Sequence, residues 1–316
     1  MTTAELNIRL DAYLAIRQAL GVRLNAESIL LRSFIQFLEL KGNPHPIRAY
    51  VAVEWACSAC ASRGKDGQAA RLSMVRKFLS HLRATIPETE VPDYGLVASA
   101  RRSKPYLFSP EQIDRIIAAV NAKGPDDSLR PHTLSAVIGV LAATGLRVGE
   151  AIRLTIDDVK LDALPPHLFI RETKFGKTRI VPIHPTTSAM LRTYSEQRKR
   201  LQHDALSDAF FVSEQGGHLK HHSLWRWFTR LTRKLGMWPT SGRRPSLHCI
   251  RHYFATRRIL LWYQEGADVQ ALLPTLSVYL GHVRLQDSYW YLTVTPELLG
   301  SAAERFRLYV ASGGEQ

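Results

Sequence analysis

His248-Cys249-Ile250-Arg251-His252, followed by Leu280-Gly281-His282 and, nine residues after that histidine, Tyr291, is the run that decides how this chain is read. About a hundred residues earlier stands Thr144-Gly145-Leu146-Arg147-Val148-Gly149-Glu150. An arginine, a His-x-x-Arg pair, a Gly-His and a tyrosine are the side chains that a phosphodiester pocket needs. Two guanidiniums can fork onto non-bridging oxygens, imidazoles can hydrogen-bond and shuttle protons, and a phenol can attack phosphorus. Each piece alone is common; the order and spacing together carry the signal.

Composition sets the surroundings. A chain of 316 residues exceeds the usual size of a single core, so two domains are expected. No apolar run reaches the 18 or so residues that span a membrane, and Met1-Thr2-Thr3-Ala4-Glu5-Leu6 lacks the layout of a signal peptide. Three cysteines fit a reducing cytosol rather than a disulfide scaffold, so the expectation is a soluble cytoplasmic protein associated with the nucleoid. The formal charge is +14. Residues 1–100 carry 12 basic and 9 acidic side chains and the remainder 30 and 19. Most of the surplus therefore sits in the half that would hold a polyanion, though charge alone leaves nucleic-acid binding at even odds.

The first hundred residues read as helical. Leu6, Leu10, Tyr13 and Leu14 recur at helical spacing, as do Leu30, Phe34, Phe37 and Leu38. Further helical stretches run over 49–61 and 66–82, the latter carrying Arg71, Arg76 and Lys77 on its polar positions. These three are candidate phosphate contacts, and equally a solvated face. A basic connector with Arg101, Arg102 and Lys104 follows. The domain expectation is thus 1–95, a linker over 96–106, and a larger domain over 107–316. In that domain Ser109-Pro110-Glu111-Gln112 signs a helix start, and the nearly all-apolar stretch from Thr133 to Leu141 predicts a buried helix delivering Arg147. Short β-like runs over 168–171 and 179–183 flank a turn with Gly176, placing Lys174 near a hairpin tip. Helical signals return over 187–201, 223–235, 247–264, 269–280 and 296–308. The fold expected is mainly α with a small antiparallel sheet.

These motifs resemble the tyrosine recombinases, the phage integrase family, closely from about Tyr106 to Leu308 and loosely before. Arg147 matches the family's first catalytic arginine in Thr-Gly-Leu-Arg-x-x-Glu, and Glu150 the acid that helps hold it. His248 and Arg251 match the His-x-x-Arg pair, His282 the third-motif histidine and Tyr291 the nucleophile. Lys174 matches the hairpin lysine, although Phe175 stands where the family often has glycine. The resemblance implies a helical DNA clamp of the SAM-like kind before the catalytic domain. It also implies a C-terminal tether helix over 296–308 and a tetramer on two DNA duplexes, with accessory recombinases as possible partners. The chemistry implied is site-specific cutting and rejoining of double-stranded DNA through a 3′-phosphotyrosyl intermediate, which serves integration, excision, inversion or dimer resolution alike. The run from Tyr289 to Leu298 resembles mobile-element recombinases, with integration and transposition, more than chromosome-dimer resolvases. Arg243 and Arg244 join the candidate DNA contacts.

Other features read more plainly. No cofactor signature is found, neither a phosphate-binding glycine loop nor His-Glu-x-x-His, and no metal site or cofactor is expected. Asp157-Asp158 reads as a solvated element end, Cys57-x-x-Cys60 as small core residues, and His218 with His221-His222 as loop polarity or a phosphate contact. Tyr289 and Trp290 read as packing residues, and His252 as pointing away from the pocket. Alternatives to recombination are relaxation of the type IB topoisomerase kind and a non-catalytic accessory DNA-binding protein.

Overall fold

A computed structural model describes the chain except residues 1, 22–23, 44, 59–63, 99–103, 123–126, 172–177, 202–206, 283, 294–299, 301–306, 308–309 and 311–316. Its contacts divide the chain into two compact units, Met1–Ser103 and Lys104–Gln316. The division falls within the expected linker, and the second unit begins a few residues earlier than the sequence suggested.

The first unit holds α1 (Thr3–Ala19), α2 (Asn25–Leu40), α3 (Ala49–Ser58) and α4 (Gly64–Arg83). Thr2 and Glu5 start α1 with a reciprocal pair of hydrogen bonds, side chain to backbone in both directions, which satisfies two orphan amides of the first turn. Leu10, Phe34, Leu38, Trp55, Val75 and Phe78 form the centre of its core. Each such buried side chain contributes about 1.5–3 kcal/mol relative to exposure. The stripe on α2 runs through Leu31, Phe34, Ile35 and Leu38, with Leu30 and Phe37 at its margin.

In the second unit come α5 (Pro110–Asn121), α6 (Leu129–Thr144), the one-turn α7 (Val148–Ala151), β1 (Val159–Lys160), β2 (His167–Ile170), β3 (Arg179–Pro182), α8 (Pro185–Leu201), α9 (His221–Lys234), α10 (Leu247–Gln264), α11 (Val269–Leu280) and α12 (Gln286–Tyr289). Ser109 caps α5 with Pro110 in the first turn. The apolar helix predicted before Arg147 is α6, which packs against α5, α8 and α10. A helix covered on several sides has little polar face to keep, and that is why its stretch from Thr133 to Leu141 is nearly all apolar.

The strands make one antiparallel sheet in the order β1-β2-β3, with Leu168 opposite Val181 and Ile170 opposite Arg179. β1 has only two residues, too few for any alternation to register in the sequence. α9 begins at His221, two residues before the predicted start, so His221 and His222 sit in its first turn rather than in a loop. The expected helix over 296–308 lies outside the described residues apart from isolated positions.

Two small readings are corrected. Asp158 is buried, taking the Thr155 amide and pairing with Arg171, so only Asp157 is a solvated end. Cys57 is exposed rather than a core residue, and Cys60 lies outside the described residues.

Candidate active site

The site begins where α6 stops. Gly145 ends that helix in the left-handed conformation (φ 62°), and a Cβ there would stand 2.4 Å from the Phe254 ring. The chain then turns and Arg147 becomes the cap of α7. Three residues on, the buried carboxylate of Glu150 accepts from the Arg147 backbone N–H at 3.0 Å and from its Nη1 at 2.8 Å. Glu150 thus grips Arg147 at both ends.

A second cation shares that carboxylate. Arg179, the first residue of β3, donates Nη2 to Glu150 Oε2 at 2.9 Å and Nη1 to Oε1 at 3.2 Å. Sequence reading did not single it out. The clue was there: Arg179 lies two residues before buried Val181 and so faces the same side of the strand. An inward arginine needs an acid.

The arginines are aligned by a helix end. At the C-terminus of α11, the Tyr279 carbonyl accepts from Arg179 Nε at 3.0 Å, the Leu280 carbonyl from Arg251 Nη2 at 2.8 Å, and the Gly281 carbonyl from Arg147 Nη2 at 3.0 Å. Arg251 also donates Nη1 to the Gly145 carbonyl at 2.7 Å. Last-turn carbonyls lack intrahelical donors and sit at the negative end of the helix dipole, so guanidiniums gather there. Gly281 has φ 68°, and a Cβ on it would come within 2.7 Å of Arg179 Nη1. Both the turn and the close approach require glycine.

Electrostatics follow from this crowding. Burial alone would raise the Glu150 pKa, but its hydrogen bonds and charge pairing with Arg179 and Arg147 hold it below the usual carboxylate range. Burial foremost brings Arg251 down to about 10, helped by repulsion from Arg147 and Arg179. His282 is brought down to about 4, again by burial first and then by Arg251 and Arg147. The ring is therefore neutral at pH 7, a donor and an acceptor rather than a cation.

Tyr291 belongs to a small core between α10 and α11, with Ala255, Ile259, Leu273, Leu276 and Leu280. It is 3% exposed and close enough to Arg251 to influence its charge. The His282 ring lies nearly parallel to it at 6.0 Å. His252, expected to point away, is buried beside it at 5.5 Å between ring centroids, and stands 4.7 Å from His248. The correction has a simple cause: 248 and 252 are one helical turn apart on α10 and share a face. Trp290 packs on His252 and Tyr291, whereas Tyr289 is 43% exposed and is not a packing residue. The structure thus gathers Arg147, Glu150, His248, Arg251, His282 and Tyr291. Lys174 lies outside the described residues, although the strands flanking it are in place.

The profile of the phage integrase family matches residues 107–297, the span that contains every one of these groups. The chain belongs to the phage integrase family. It is 39% identical over 302 residues to the putative integrase/recombinase y4rB of Sinorhizobium fredii, covering 93% of this chain and 94% of that protein. To the tyrosine recombinase XerA of Thermococcus kodakarensis it is 27% identical over 307 residues, covering 90% and 98%. Two solved structures share the fold. One is the XerH site-specific recombinase bound to its difH substrate (TM-score 0.68, 18% identity, 90% of this chain and 80% of that one). The other is the Tn1549 transposon integrase in complex with transposon right end DNA (TM-score 0.67, 18% identity, 98% and 99%).

The expected DNA contacts of this phage integrase family member divide. Arg71 is corrected: it is 8% exposed, lies 3.8 Å from the Trp55 ring centre and donates to the Trp55 carbonyl. Its guanidinium is spent inside the first unit. Arg76 ties down the following segment through the Pro92 and Asp93 carbonyls. Lys77, Lys104, Arg243 and Arg244 are exposed, with Arg244 stacked over Trp238 at 4.5 Å. Arg101 and Arg102 lie outside the described residues. Among the described residues no group of three potential ligands could hold a metal, and no helix is long and apolar enough to cross a membrane.

The depressed His282 pKa gives a pH prediction. Its folded value, about 4, lies below the unfolded value near 6.5, so the unfolded chain takes up the proton first as pH falls. The contribution is intact above about 6.5 and is lost on the way down to about 4. Thermal melts should show the wild type losing more stability across that window than His282→Gln; equal losses would refute the assignment.

Proposed function

We propose that this family member is a site-specific recombinase that cuts and rejoins duplex DNA with Tyr291 as the nucleophile. The observation that carries the reading is the convergence of Arg147 and Arg251 on one helix end beside Tyr291 and His282. Three guanidiniums around one carboxylate leave the cluster cationic, as an anionic phosphodiester requires.

In the reaction proposed, the Tyr291 phenolate oxygen attacks phosphorus while Arg147 and Arg251 neutralise the non-bridging oxygens of the five-coordinate state. His282 adds a hydrogen bond there; such donors in a water-excluded pocket are each worth about 2.7–4 kcal/mol. Tyr291 loses its proton to His248, the exposed imidazole one helical turn from His252. Lys174 protonates the departing 5′ oxygen. The product is a 3′-phosphotyrosyl bond and a free 5′-hydroxyl, and attack by the 5′-hydroxyl of another strand reverses the step. Because the covalent bond stores the energy of the broken one, the chemistry balances without ATP.

The partners proposed are double-stranded DNA and further copies of the chain, as a tetramer on two duplexes, with accessory recombinases on some substrates. The soluble cytoplasm, at the nucleoid, is where such a protein would act. A neighbour is a transposon integrase and a relative is called an integrase/recombinase, which favours service to a mobile element. The first unit, with the linker, would clamp the duplex.

The test is incubation with duplexes made from DNA flanking the protein's own gene, nicked just past the scissile bond so that the 5′-hydroxyl fragment escapes. A denaturation-resistant adduct is expected. Tight binding with no adduct would instead support an accessory DNA-binding protein. If about 6–10 phosphates are contacted, affinity should fall by ~10³–10⁵ between 50 and 200 mM salt; a flat response would exclude an electrostatic grip.

A further inference from the structure

Ser288 is fully buried (0% exposed), and its hydroxyl oxygen lies 2.7 Å from Nδ1 of His282. It sits on α12, three residues ahead of Tyr291, while His282 follows the left-handed glycine that closes α11. One hydrogen bond therefore joins the turn bearing the histidine to the turn bearing the phenol. Its backbone N–H is held separately, by a bond to the Leu285 carbonyl at 2.8 Å.

The two nitrogens of a neutral imidazole are not equivalent, and the bond made by one decides what the other can offer. A hydroxyl can donate or accept. Were Nδ1 the protonated nitrogen, Nε2 would present only a lone pair. A non-bridging phosphate oxygen carries no proton, and two acceptors would then repel. With Nδ1 accepting from the serine, Nε2 carries the hydrogen and can donate. The ring is uncharged at neutral pH, so it has one N–H to place, and a wrong choice removes its use.

We propose that Ser288 is a positioning residue: its hydroxyl donates to Nδ1 of His282, fixing the ring's orientation and directing the Nε2–H toward the scissile phosphate. This rests on the reading of His282 as a phosphate donor. Ser288 touches no substrate and acts only through the imidazole. Because the same contact spans to α12, it also sets the histidine and the Tyr291 turn in one frame.

Two measurements on the full-length protein test it. In long-range ¹H–¹⁵N spectra, with the His282 signals identified by their loss in His282→Ala, the wild type should show a protonated Nε2 and an accepting Nδ1. The reverse pattern overturns the proposal. In single-turnover cleavage of the nicked duplex, Ser288→Ala should slow adduct formation about 10- to 100-fold, by analogy with loss of a group that orients a metal-bound histidine, with DNA affinity unchanged. The double variant His282→Ala/Ser288→Ala should be no slower than His282→Ala. A wild-type rate for Ser288→Ala beside a crippled His282→Ala overturns the proposal and leaves the role of His282 standing. Multiplying effects in the double variant also overturn it. A wild-type rate for His282→Ala itself would sink the reading beneath.

Discussion

Tyr291→Phe is expected to abolish the covalent DNA adduct completely while leaving DNA affinity nearly unchanged. The substitution removes one oxygen and keeps a ring that is 3% exposed and packed among Ala255, Ile259, Leu273, Leu276 and Leu280. The core between α10 and α11 therefore survives, and only the proposed nucleophile is lost. Gel analysis of denatured complexes reads the first effect and equilibrium binding the second. An adduct persisting in the variant would refute the assignment and turn attention to Tyr289, whose side chain is exposed two residues earlier.

The largest stability effect is expected at Glu150. Its carboxylate, 4% exposed, binds Arg179 through two contacts and Arg147 through two more. Glu150→Ala leaves the 12%-exposed Arg179 side chain without its anion beside two other guanidiniums. Breaking a buried pair in this way costs about 3–5 kcal/mol. Melting should drop by roughly 2–4 °C for each kcal/mol in a domain of this size. Cleavage should fall as well, because Arg147 loses both grips that fix its direction. Glu150→Gln keeps the shape and some of the hydrogen bonds and should lie between. Calorimetry of the three proteins checks the order; a loss under about 1 kcal/mol for the alanine variant would show that the α11 carbonyls alone hold the arginines.

Much of this was legible in the sequence because the motif residues sit in short local strings. Arg147 and Glu150 are three apart, His248 and Arg251 likewise, and His282 and Tyr291 nine. What was hidden is what those strings do to one another. Arg179 reaches Glu150 across 29 residues and the Tyr279 carbonyl across 100, and although its inward register calls for an acid, no local pattern says which. The direction of His252 follows not from Arg251, its neighbour, but from His248 one turn back, whose face it shares. Arg71 departs from expectation for a different reason. A basic side chain on an amphipathic helix normally faces water, but the face and the carbonyl of Trp55 give this one a place inside. The helical architecture was readable from apolar spacing throughout, whereas the two-residue β1 left no pattern to read.

The way α11 ends bears on how such a protein can change its target. The three guanidiniums are anchored to main-chain oxygens of residues 279 to 281, and a main-chain oxygen is the same whatever side chain it belongs to. Exposed residues such as Arg243, Arg244 and those on the outer face of α9 hold none of the contacts that align the arginines. If Arg243 and Arg244 contact DNA as proposed, selection for a new DNA sequence can rewrite that surface one codon at a time, with the chemistry carried along intact. Gly281 is the exception: the left-handed turn and the nearby Arg179 leave it almost no alternatives. In a laboratory lineage evolved toward new sites, diversity should collect on the outer surface and vanish at that glycine.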